Sequence, residues 1–356
     1  MYFKRLHNIG REKFLQIHSL LTNGFLSNFH YLCYLKAFRT GVFLSFLPSI
    51  TTGCSESVIP LQTSCRQTML LTTPHTVQTA WNTLDILVFE NDRLRRLDSY
   101  QRFEEFTEGF LAPASTGGDK IFFLCTNSQL DRYDWAGICS YSSLQKIFFD
   151  LEKEDREKPV MTGELRATAG EDVNTITMTP LTCEVMIERL SCDFSGTPYK
   201  NEVIRNVRAY LTNVNSSYPL LAVSSAGTHR LINAGMYNPS DAETFCDRSM
   251  VMQEMTSELG GTETKMTCPF LCYPNTGDRS RSTRLVIEGS IGKETYFWPI
   301  EVGEGNGVER NNCYTYEILI RRKGSSDPDC LIEPTAIDYR LKIKPWTEKE
   351  EYQVTF

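Results

Sequence analysis

Twelve cysteines and five histidines are the residues of this 356-residue chain with the most chemistry to offer. Their spacing does not assemble a site. Only Cys268 and Cys272 stand close together, and C-x3-C without a nearby histidine is a weak zinc signal. In a long chain with irregular cysteine spacing, most of these thiols are expected to be small core residues. Past Cys54 only His75 and His229 remain, so a Ser-His-Asp or Cys-His centre would have to be built round one of them. His75 follows Pro74 in a turn, His229 lies in Gly-Thr-His-Arg, and no G-x-S-x-G is present, so both read as surface histidines. Gly292-Lys293 suggests a phosphate loop, but Ile287 stands where its first glycine belongs and Glu294 where its hydroxyl belongs. The acid pairs Glu104-Glu105 and Glu350-Glu351 read as solvated charge rather than a glycosidase dyad. Trp298 and Trp346 could stack on a sugar, although in a strand-rich chain such residues more often pack the core or a sheet edge. The expectation is a protein that is not an enzyme and needs no metal or cofactor.

The first 66 residues of the chain carry a different chemistry. Net charge is −7, yet residues 1–53 hold six Lys/Arg against the single acid Glu12, which is +5, so the rest carries −12. An acidic body excludes a nucleic-acid partner as the main expectation. Residues 41–50 are a short apolar run, flanked by Lys36 and Arg39 before it and by Thr51, Thr52, Gly53 and Cys54 after it. A basic flank, about ten apolar residues and a small-residue end form the secretory-signal pattern, too short to span a bilayer. Ending on Gly53-Cys54, the run resembles a lipobox, with Cys54 the residue to be acylated. Thr51 stands three before the cysteine where an aliphatic residue is usual. Two acyl chains on one residue suffice for stable anchoring. Residues 1–35 are a basic, aromatic-rich preface, and no Met occurs between Met1 and Met69, so the true start is expected downstream. The expected division is a signal with an N-terminal extension over 1–53 and a lipidated segment over 54–66. Two β-domains follow, over 67–175 and 176–356.

These domains rest on strand patterns. Leu84, Ile86 and Val88 alternate with Asp85, Leu87 and Phe89 before the turn pair Asn91-Asp92. Further strands are predicted at Lys120–Cys125, Thr175–Thr179, Cys183–Arg189, Val207–Val214, Arg284–Gly289, Tyr296–Val302, Tyr314–Arg321, Tyr339–Ile343 and Tyr352–Phe356. Gly, Pro, Asn and Asp clusters separate them, which suits β-sandwiches rather than βαβ units. Helices are expected only at Ser99–Glu108, Ser142–Lys153 and within Asp241–Glu258, with Gly163–Gly170 read as a polar stretch before the domain boundary.

Several segments fall in a familiar order. Leu84–Phe89 with Asn91-Asp92 and Ser99–Phe103 resembles the first core strand of the type V pilins, or fimbrillins, of the Bacteroidales. Val207–Val214 with Arg230–Gly235 resembles the start of their second domain. Leu271–Asn275, Thr283–Gly289, Tyr296–Ile300, Arg310–Asn312, Tyr314–Lys323, Gly324–Asp329 and Lys344–Trp346 resemble its remainder. The resemblance implies an all-β fold of two transthyretin-like β-sandwich domains with few short helices. It implies lipoprotein export to the outer membrane and assembly with other pilin subunits into a surface fimbria by strand exchange. It also implies proteolysis after an N-terminal arginine, here Arg66, and leaves room for a host or glycan ligand. A lipid-anchored carbohydrate-binding accessory protein is the alternative reading.

Overall fold

The computed structural model describes residues 82–104, 118–168, 174–221, 230–261, 264–276, 281–303, 305–330, 332, 336–345 and 350–354. The N-terminal half is one antiparallel sheet. Strand β1 (Leu84–Glu90) pairs with β2 (Leu97–Phe103) through a hairpin in which Asp92 Oδ1 accepts from the backbone N–H of Leu94 and Arg95, at 2.9 and 2.7 Å. On its other side β1 pairs with β3 (Asp119–Thr126), and β3 with β5 (Met161–Thr168). Both faces of β1 and β3 are buried, which is why alternation in these strands is apolar on both sides. Leu87, Phe89, Ile121, Phe123 and Cys125 face the main core, where Trp135 of helix α1 (Arg132–Ala136) and Tyr141 of α2 (Tyr141–Leu144) cover them. Leu84, Ile86, Val88, Phe122 and Leu124 face the other way with Met161, Ile176 and Met178.

The C-terminal half is a sandwich of two four-stranded sheets. One runs β12 (Met252–Leu259), β8 (Ile204–Thr212), β14 (Arg284–Ile291), β15 (Glu294–Glu301). The other runs β13 (Thr264–Cys272), β7 (Cys183–Cys192), β16 (Asn312–Ile320), β17 (Ile337–Pro345). All neighbours are antiparallel except β7 and β16, which run parallel over eight register pairs. Gly292-Lys293, the pair that suggested a phosphate loop, is the turn of the β14–β15 hairpin, with Gly292 at φ 64°. Two further helices, α3 (Pro239–Phe245) and α4 (Arg248–Val251), complete the few helical turns among the described residues. None is long and apolar enough to cross a membrane.

The halves share one core. The main cluster of buried side chains runs from Leu87 through Val185 and Trp298 to Ile337. A two-stranded ribbon links them, β4 (Phe148–Asp150) from the first half against β10 (Ser217–Pro219) from the second. A second small ribbon joins β9 (Val214–Asn215) and β11 (Leu231–Ile232).

Several sequence expectations are corrected. Ser99–Glu108 is not helical in its described part, because Leu97–Phe103 forms β2 as the edge partner of β1. Ser142–Lys153 gives only the single turn of α2, then β4 and a 3-10 turn at Leu151–Lys153. Pairing of Phe148–Asp150 with a strand nearly seventy residues on overrides the local helical spacing. Asp241–Glu258 divides into α3, α4 and β12. The polar stretch 163–170 opens as part of β5. β6 (Asn174–Pro180) and β7 belong to different sheets, and Leu181-Thr182 connects them.

Candidate assembly surface

β6 is held by β5 over a short stretch only. Its ladder with β5 covers only Met161↔Pro180 and Thr162↔Thr179. A Cβ on Gly163 of β5 would lie 2.6 Å from Ile176 Cγ2 and 2.7 Å from Met178 Sδ of β6. The partner that completes β6 comes from the end of the chain. β18 (Glu350–Val354) pairs antiparallel with it, from Glu350↔Met178 to Val354↔Asn174. Four residues, 346–349, separate β18 from β17, which belongs to the C-terminal sheet. The sequence-predicted C-terminal extended pieces therefore do two different jobs. Tyr339–Ile343 completes its own sandwich through β16, and the piece after it augments the sheet of the other half.

β17 is itself a sheet edge. Tyr339 and Ile343 point to the core side of the ladder but are 39% and 51% exposed, while Leu341 between them is half-buried. Arg340, Lys342 and Lys344 alternate with them. Lys342 pairs with Glu317 at 2.8 Å, and such charges guard an edge against indiscriminate pairing. An open cleft of about 900 Å³ beside this edge is lined by Ile300, Ile332, Ile337 and Tyr339, with the ion pair of Arg321 and Asp338 at its rim.

The junction between the halves also carries buried polar groups. Tyr273, at the end of β13, donates to Glu154 Oε1 at 2.7 Å, and Val160 N–H donates to Glu154 Oε2 at 3.2 Å. Burial pushes the Glu154 carboxyl up to about 7, against the pull of the Tyr273 hydrogen bond. Gln129 brackets the same site, exchanging hydrogen bonds with Asp150 N and O at 2.8 and 2.9 Å. Arg310 reaches back from the C-terminal half to Pro180 O (3.0 Å), Thr179 O (2.6 Å) and Thr162 Oγ1 (3.0 Å). These oxygens are all neutral, and burial lowers its pKa. No sequence spacing pointed to Glu154, Tyr273, Gln129 or Arg310 as a group, since Tyr273 stands 119 residues from Glu154 and Arg310 stands 130 to 148 residues from its partners.

Residues singled out in the sequence fall elsewhere. Trp298 is fully buried, and its Nε1 donates to Arg322 O at 2.9 Å, so it packs the sandwich and offers no face to a sugar. Cys54, Arg66, His75, His229 and Trp346 lie outside the described residues. Cys125, Cys183, Cys192, Cys246, Cys272 and Cys313 are buried, as small core residues should be, whereas Cys139 and Cys330 are exposed. Among the described residues no three His, Cys, Asp or Glu side chains converge as a metal site would require.

No protein-family model matches the chain, and no curated protein matches it significantly in sequence. Solved structures do match its shape. A fimbrilin from Porphyromonas gingivalis W83 superimposes with a TM-score of 0.57 at 14% identity, over 79% of this chain and 97% of that one. A candidate cell adhesion protein from Parabacteroides distasonis ATCC 8503 gives 0.57 at 13% identity, over 79% and 95%. Another from Bacteroides eggerthii DSM 20697 gives 0.57 at 12%, over 75% and 89%. At such identities the shared property is the fold, and it spans nearly the whole of each relative. The order of segments in the sequence and the shape of the folded chain agree: this protein is built on the all-β fold of the Bacteroidales fimbrillins.

Proposed function

We propose that the chain is a structural or adhesive subunit of a cell-surface fimbria, assembled with other pilin subunits by strand exchange after export as a lipoprotein. The observation that carries this reading is the addition of β18 to β6. A terminal strand that closes a sheet edge in its own chain can close the same edge in a neighbour, with the same ladder and the same register. Exchange of an identical element costs little, because the incoming strand restores every ladder hydrogen bond that the outgoing one made. The short, partial ladder between β5 and β6 leaves β6 dependent on that outside strand. In this reading Cys54 takes the lipid that brings the chain to the outer membrane, and cleavage after Arg66 commits it to assembly. The chain then acts as a building block and not as an enzyme, and it binds no nucleic acid; any host or glycan ligand is met by the assembled surface.

Deletion of Glu350–Phe356 tests the role of the strand. Loss of polymer with a monomer that stays folded supports exchange. Polymers of normal length from the truncated chain would remove it. Sequencing the mature N-terminus tests processing: a chain beginning at Gln67 supports cleavage after Arg66. A finished fimbria whose subunit still begins at acylated Cys54 rules it out.

A further inference from the structure

Cys183 opens β7 and Cys272 closes β13, and the two are register partners in that antiparallel ladder. Both side chains are fully buried. Their sulfurs lie 3.5 Å apart, at van der Waals contact, and the Cys183 thiol also points at Cys272 O at 3.1 Å. Opposed residues of an antiparallel pair have Cα atoms roughly 4.5–5.5 Å apart, inside the range of about 4.4–6.8 Å that a disulfide spans. Closing the sulfurs to about 2.05 Å takes side-chain rotation and no change of register. The buried sulfurs of Cys125, Cys192 and Cys246, by contrast, face backbone carbonyls. The position also matters. Cys183 stands two residues after the chain enters the C-terminal half at Leu181-Thr182. Cys272 immediately precedes Tyr273, the donor to Glu154.

We propose that Cys183 and Cys272 form a structural disulfide that closes the β7–β13 loop beside the junction of the two halves. Its compartment, oxidising and outside the cytoplasm, rests on the export reading above. In the reaction two thiols become one S–S bond and release two protons. The two electrons pass to the disulfide of an exported thiol oxidase or of oxidised glutathione, which becomes two thiols. One cysteine thiolate attacks that disulfide to give a mixed disulfide, and the other cysteine displaces the leaving thiol. In the folded chain burial keeps the Cys183 thiol protonated and out of reach of oxidants, so the bond forms while β13 is still docking. The closed loop spans 89 residues, long enough for a large effect on the unfolded chain.

The full chain refolded in a mixture of reduced and oxidised glutathione, unfolded in denaturant with iodoacetamide and digested without reductant, gives the answer by mass. The expected result is a peptide containing Cys183 joined to one containing Cys272, two hydrogens lighter than the free pair. The melting temperature should fall by about 10 °C on reduction with a phosphine. Cys183→Ala should melt like reduced wild type under both conditions. Alkylation of both residues after oxidative refolding overturns the proposal, as does a redox-dependent melting shift that survives Cys183→Ala. The same digest on protein from the cell envelope separates the two readings. Linked peptides after refolding but alkylated thiols in cells would uphold the pair and count against export.

Discussion

Glu154 is a carboxyl group held among Tyr273, Val160 N–H and Gln129 at the join of two halves, with a folded pKa of about 7 against an ordinary 4.5. The fold therefore favours its protonated form. Its contribution to stability is complete below pH 4.5, is lost as pH rises through about 7, and stays lost above that. The amount is about 3 kcal/mol. Glu154→Gln should flatten the stability curve by that much between pH 4.5 and 7.5 in urea titrations. A residual slope of the same sign should survive, because buried Asp85 is raised from 3.8 to about 6 by burial, against the attraction of Arg102. Arg310 offers a second test. Its guanidinium satisfies three neutral oxygens across the join, so Arg310→Ala should lower stability by about 3 kcal/mol and Arg310→Lys should recover only part of it. Unchanged denaturation midpoints in both variants would show the hydrogen bonds to be incidental.

At the scale of elements, β5 and β6 hold the most sensitive contact. Gly163 faces Ile176, Met178 and Thr177 O so closely that a methyl group cannot enter without moving β6. Gly163→Ala should cost about 1–3 kcal/mol, read from the urea midpoint, and should loosen the edge that β18 occupies. This strand also shows what a sequence conceals. β1, β3, β7, β8, β14, β15 and β16 were legible because each is an apolar or alternating run cut by turn residues. β5 was not, because Gly163–Gly170 read as a polar stretch until β3 and β6 lie on either side of its first residues. β2 and β4 were hidden for a related reason, their residues being recruited by partners that local spacing does not announce. The candidate site was less legible than the fold. Alternation marked both C-terminal extended pieces, but nothing in the residues said that the second would leave its own half.

At the scale of the whole molecule, one core and several cross-links couple the halves. The ribbon of β4 and β10, the hydrogen bond of Tyr273 to Glu154 at 2.7 Å, and Arg310 all cross the join. Calorimetry of the wild type should accordingly show a single transition, and Arg310→Ala should split or broaden it. Two well-separated transitions in the wild type would mean that the join carries little energy. The parallel pairing of β7 with β16 has a mechanical consequence. A pull that enters at the start of β7 and leaves at the end of β16 grips opposite ends of two strands pointing the same way. It loads their eight register pairs in shear, all together, instead of peeling them one after another like a zipper. A subunit stretched end to end should therefore yield late and abruptly in single-molecule pulling, with its hairpins β14–β15 and β1–β2 opening at lower force.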